Sequence, residues 1–226
     1  MRARGPGLTL VVAALLLAAV AAAADRVVVE DWKSYRVGTR GIPPDWKGQN
    51  WGSPVYDFAV VENDGHHVLH MRSNNDSSTI TRDIRSKVNL AETPVLEWRW
   101  KVTALPKAGN SCQKATDDQA AQIFLVWPRF PEAVRSRIIG YVWDTTVKTG
   151  TICPSEKTRT VTYIVIRSGD AELGKWLTEQ RNVREDFKKV YGEEPESPAA
   201  IALAIDSNDT KSTSESFIGP LLFRAP

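Results

Sequence analysis

Histidine, cysteine and methionine are scarce: 226 residues hold three, two and two of them. The histidines His66, His67 and His70 fall in one short stretch, remote in sequence from the acidic runs. A histidine-activated nucleophile or a zinc site therefore has little to build on. The chain has no Cys-x-x-Cys pair, zinc-protease motif, nucleophile elbow or phosphate-binding loop. It also lacks repeats, low-complexity tracts and linkers. After the N terminus there is no second apolar run of membrane-spanning length. Charge of one sign is missing as well. The formal net charge of +2 is carried by Arg2 and Arg4, so residues 25–226 are formally neutral. That removes the electrostatic basis for a nucleic-acid partner.

What is present begins with a leader. Arg2 and Arg4 form a basic start, Leu8 to Ala24 is almost wholly apolar, and Ala22-Ala23-Ala24 supplies small residues for cleavage. Residues 1–24 read as a secretory signal peptide and residues 25–226 as one exported domain, periplasmic or secreted. Two cysteines in an exported chain predict a disulfide between Cys112 and Cys153. Two buried free thiols are the alternative.

Short β-like runs recur at the spacing of an all-β fold. They cover Val27–Trp32, Tyr56–Glu62, His67–Arg72, Ser78–Ile84, Pro94–Thr103, Ile123–Trp127, Ile138–Trp143, Thr160–Arg167, Ala199–Ile205 and Ser216–Phe223. In Pro94–Thr103, Leu96, Trp98, Trp100 and Val102 alternate with Glu97, Arg99 and Lys101. One face is core; the other is a solvated face or the floor of a polar groove. Val183, Phe187, Val190 and Tyr191 recur at helical spacing, which predicts a short helix over 182–191 stopped by Gly192. The fold class expected is an antiparallel two-sheet β-sandwich, jelly-roll-like, with that one helix.

Two acidic loops flank apolar strands. Asp117 and Asp118 precede the run Ile123–Trp127, and Asp206-Ser207-Asn208-Asp209-Thr210 follows Ala199–Ile205. Aspartate is a poor strand residue, so both loops belong at a sheet rim, where sites are built. Simple turn capping is the bland alternative. If the two apolar strands are antiparallel neighbours, the start of one lies beside the end of the other, and the acidic loops meet. The second loop offers oxygen ligands that a hard cation such as calcium could take, but it lacks the glycine and terminal glutamate of an EF-hand loop. No cofactor is expected. Arg181 is placed to reach an acidic loop or an anionic ligand.

The ordered segments 95–102, Asp117 to Ala121, 141–143, Gln180 to Phe187, 192–195 and Ile205 to Thr210 together resemble the exported bacterial proteins of domain of unknown function 3047. Gln122 departs from the basic residue expected there, and Ser207-Asn208-Asp209 from a Thr-Asp-Asn order. The resemblance implies a sandwich similar to sugar-binding modules, and it selects Asp117, Asp118, Trp143, Arg181, Asn182, Asp206, Asn208 and Thr210 as ligand-binding candidates. Eight tryptophans add flat apolar surfaces suited to sugar rings, with Trp46, Trp51 and Trp143 the best placed of them. The function expected is non-catalytic binding of a carbohydrate or cell-envelope glycan. The alternatives are a glycan-active hydrolase or lyase using the rim carboxylates, and a structural or partner-binding envelope protein. Nothing sets the oligomeric state.

Overall fold

The computed structural model describes residues 26–226. The leader read at 1–24 lies outside the described residues. In chain order the strands are β1 Arg26–Glu30, β2 Lys47–Gly48, β3 Asp57–Asn63, β4 His66–Asn74, β5 Ser77–Asp83, β6 Val95–Ala104, β7 Ala121–Trp127, β8 Arg137–Asp144, β9 Ile152–Pro154, β10 Val161–Ser168, β11 Leu177–Asn182, β12 Ala200–Asp206 and β13 Thr213–Arg224. A one-turn helix α1 (Glu132–Arg135) joins β7 to β8, and α2 (Val183–Tyr191) joins β11 to β12.

The strands form two sheets packed face to face, an all-β sandwich. One sheet runs β11-β6-β13-β4-β3 with β1 also on β13; the other runs β2-β5-β12-β7-β8-β10-β9. Pairing is antiparallel except between β8 and β10. Between those two the chain makes an excursion through β9, long enough for the crossover that parallel neighbours need.

Alternation decides the faces. In β6, Leu96, Trp98, Trp100 and Val102 are fully buried. Trp98 stacks on Tyr141 at 5.4 Å, and Trp100 meets Trp143 at 5.8 Å, so aromatic rings from both sheets interdigitate in the core. The outer face of β6 is closed by its own neighbours and is not a groove. Lys101 lies over the rings of Trp176 and Phe217 at 5.1 and 4.9 Å and donates to Asn63.

The helix starts and stops as its sequence dictates. The Asn182 side chain accepts from the Glu185 N–H, and Gly192 takes the left-handed conformation (φ 70°) that ends it. Phe187 and Val183 are buried, and Phe187 packs on Trp127 at 4.7 Å. A second polar anchor lies beneath the loop after β1. Buried Glu30 accepts from the Trp32 N–H, Tyr35 hydroxyl and Trp46 indole and pairs with Arg82. Burial, and then this carboxylate, push the Tyr35 hydroxyl up to about 12.

Among the described residues no helix is long and apolar enough to cross a membrane. Cys112 and Cys153 form a disulfide, with Cα atoms 5.7 Å apart and a sequence separation of 41. It ties the loop 105–120 to β9, directly beside the first acidic loop.

Candidate functional site

The outer face of the seven-stranded sheet is hollow, and side-chain size explains why. On β12, Ile201, Leu203 and Ile205 enter the core while Ala202 and Ala204 face out; on β5, Ile80 enters the core while Ser77, Thr79 and Thr81 face out. On β7 the outward positions are Gln122, Phe124 and Val126. At Gly140 on β8 a Cβ would meet the Phe124 ring at 2.7 Å, so glycine lets that ring lie low beside Tyr163. Two small-residue strands flanked by taller neighbours leave a groove of about 560 Å³. Trp51, 60 % exposed, stands on one bank, and Lys157 and Thr158 stand on the other.

One end of the groove is acidic. β7 and β12 are antiparallel neighbours, with Ala204 opposite Gln122. The loop before β7 therefore meets the loop after β12. Asp118 is fully buried and holds the second loop. It accepts from the Asp209 N–H at 3.1 Å, and from the Thr210 N–H and hydroxyl, each at 2.6 Å. Its carboxyl also lies close enough to that of Asp206 to act on it. Asp206 is half-buried and accepts from the Ser77 hydroxyl at 3.2 Å. Burial first, and then the adjoining Asp118 carboxyl, push Asp206 up to about 9. It is therefore protonated at neutral pH and can donate as well as accept.

Asp117 lines the same end. It accepts from the Gln119 amide at 2.9 Å and the Tyr163 hydroxyl at 3.3 Å. Burial raises its carboxyl above the usual range. Burial, with Asp117 beside it, also raises the Tyr163 hydroxyl well above its ordinary value. Burial works against the charge on Lys157, but its pairing with Asp209 prevails and raises the ammonium. The end of the groove thus offers two carboxyls and a phenol, all fixed by their neighbours.

The eight sequence candidates separate into three sets. Asp117, Asp206 and Asn208 line the groove. Asp118 and Thr210 stand behind them and clasp the loop. Trp143, Arg181 and Asn182 lie elsewhere. Trp143 is fully buried in the core and donates to the Gly169 carbonyl at 3.1 Å, so its ring faces are taken by protein. Arg181 is paired with Asp186 five residues on, at the far end of the sandwich, where Arg181 lies opposite Leu96. Asn182 is the helix cap. Of the other two tryptophans singled out in the sequence, Trp46 is buried and stacked on Trp32 at 5.7 Å, whereas the Trp51 ring is exposed. Sequence reasoning missed Ser77, Thr79, Thr81 and Lys157. The signal was the outward hydroxyls of β5 opposite the outward alanines of β12.

Both carboxyl groups of the second acidic loop already have partners within the fold. Asp206 accepts from the Asn208 N–H at 3.4 Å, and Asp209 pairs with Lys157. Among the described residues no group of three or more histidine, cysteine, aspartate or glutamate side chains is arranged to hold a metal ion.

The chain belongs to the family described as Protein of unknown function (DUF3047), which matches residues 45–222. No curated protein matches it. Solved structures with a similar sandwich include a family 11 carbohydrate-binding module from Clostridium thermocellum in complex with a mixed-linked tetrasaccharide. It is 7 % identical with a TM-score of 0.46, covering 89 % of this chain and 96 % of that one. A cellulase derived from that of Rhodothermus marinus is 10 % identical with a TM-score of 0.46, over 87 % and 98 % of the two chains. The xyloglucanase domain of a Sinorhizobium fredii effector is 8 % identical with a TM-score of 0.45, over 84 % and 96 %. Likenesses at this level carry no residue, ligand or activity across to this chain.

Proposed function

We propose that this is an exported glycan-binding protein that takes a carbohydrate chain in the groove of the seven-stranded sheet and performs no chemistry on it. The observation that carries this reading is the groove itself: open, floored by alanines and hydroxyls, and overlooked by the exposed Trp51 ring. An indole face stacks on the C–H side of a sugar ring, while Gln122, Thr79, Thr81 and the acidic end can take its hydroxyls. Protonated Asp206 offers a donor and an acceptor to such a hydroxyl. Export is supported by the leader sequence and by the disulfide.

A second reading has its own observation. Asp117 and Asp206 both line the groove, and Asp206 holds its proton, as a general acid must. On that reading the protein cleaves the glycan. A glycan array followed by calorimetry tests both. Trp51→Ala should weaken binding at least tenfold with an unchanged melting temperature. Incubation of the bound glycan with wild-type protein should release no new reducing ends. Release that disappears in Asp206→Asn would establish the enzyme instead. Equal binding by Trp51→Ala would remove the groove from consideration.

A further inference from the structure

The groove does not end where β5 ends. Thr81, which lines the glycan groove, also lines a second hollow beside it, and so do Lys47, Arg85, Lys87 and Ala200. Lys47 on β2 pairs with Thr81 on β5, so the two side chains leave the sheet on the same face. Ala200 continues the outward series of Ala202 and Ala204. The acidic end lies at the Asp206–Ser77 pair and this hollow at the Ala200–Asp83 pair, six residues along the same ladder. At the rise of a strand that is about 20 Å. The outer face is one trough, acidic at one end.

Charge at the other end is not balanced. Arg82 is taken up by Glu30 and Asp45, and Arg85 by Asp83. Lys47 and Lys87 are exposed and form no ion pair among the described residues. Counting Glu30, four cations stand here against three acids, an excess of one positive charge, and the ammonium groups of Lys47 and Lys87 are the two cations that no ion pair holds. The other end is not simply the mirror of this one, because Lys157 there is already paired with Asp209.

Resting on the glycan-binding reading, we infer that the ligand is an anionic polysaccharide, laid along the trough with its neutral hydroxyls at the Asp117–Asp206 end and its charged substituents at Lys47 and Lys87. A protonated Asp206 is consistent with this, since an acidic chain entering the groove meets one fewer negative charge.

The test compares three immobilised glycans: a polyuronate such as polygalacturonate, a phosphate-bearing glycan such as a teichoic acid, and a neutral mixed-linkage glucan. Wild-type protein should bind at least one anionic glycan at least tenfold more tightly than the glucan. That binding should fall as salt rises from about 50 mM to about 500 mM, because exposed charges are screened. The double variant Lys47→Glu, Lys87→Glu changes only exposed side chains. It should lose at least tenfold on the anionic glycan while keeping its melting temperature. Trp51→Ala should also lose at least tenfold on it, which places the anionic chain in the groove. Preference for the uronate or for the phosphate arm names the anionic group. Binding of the neutral glucan alone overturns this inference and leaves the glycan-binding reading standing. Binding of none of the three, with no hit on a broad array, overturns both. Full anionic binding by the double variant, or by Trp51→Ala, overturns this inference.

Discussion

Asp206 is the group whose replacement is most informative. In the unfolded chain its carboxyl ionises near 3.8; in the fold it is pushed up to about 9, by burial and by Asp118. Between those values the native state keeps a proton that the unfolded state releases. Stability from this group is therefore fully present below the lower value and is lost as pH rises through the window, by at most about 1.4 kcal/mol per pH unit. At neutral pH the ceiling is about 4 kcal/mol. Asp206 is half-buried at the groove wall, where water screens the penalty, so about 1–2 kcal/mol is expected there. Asparagine carries one donor and one acceptor function where a protonated carboxyl does, and it cannot ionise. Asp206→Asn should keep the contacts to Ser77 and Asp118 and be about 1–2 kcal/mol more stable than wild type near pH 8, with the advantage vanishing near pH 4. Urea unfolding of both proteins across that range measures the difference, and subtraction removes every other titrating group. A wild-type-minus-variant difference independent of pH would refute the proton on Asp206. A variant less stable at every pH would refute the claim that an amide fits this site.

The remaining predictions concern the supports of the groove. Asp118→Ala strips three hydrogen bonds from the loop that carries Asn208, and should lower stability by about 2–4 kcal/mol in urea unfolding and weaken the proposed glycan binding with it. Glu30→Ala leaves half-buried Arg82 with only the exposed Asp45 at 3.9 Å and takes an acceptor from the Trp46 indole and the Tyr35 hydroxyl, so a loss of about 3–5 kcal/mol is expected by the same assay. Trp100→Ala empties a fully buried ring site and frees Glu179 from its indole donor. It should cost about 3–5 kcal/mol, read as a fall in melting temperature. Reducing the Cys112–Cys153 bridge reopens a loop of 41 residues and should remove about 2–4 kcal/mol, measured by unfolding with and without dithiothreitol.

Periodicity made most of the sandwich legible, because alternating side chains need only one partner sheet to have a meaning. The ten expected strands correspond to observed ones within a few residues, and Asn182 and Gly192 mark the helix ends. Strand β11 was not legible. Only Leu177 in it is apolar, and it is held through the backbone ladder to β6, which leaves no trace in its side chains. The meeting of the acidic loops followed from the adjacency of two apolar strands, a topological inference that the register of β7 and β12 satisfies. Arg181 illustrates the opposite case. Its charge pointed to the acidic rim, but the α2 turn brings Asp186 within reach first, and a local partner prevails over a distant one because closing a shorter loop costs less entropy. The tryptophans mark the limit. Trp46, Trp51 and Trp143 carry the same chemistry, and only tertiary packing buries two of them and leaves the third on the groove bank. What the chain did state, unread, was the groove floor. Ala202 and Ala204 alternate with Ile201, Leu203 and Ile205, so β12 presents a large face and a small one. The large face must be core; a small face flanked by taller side chains can only be a hollow. That contrast in size along a central strand, more than any charged residue, is where this sequence encodes the groove.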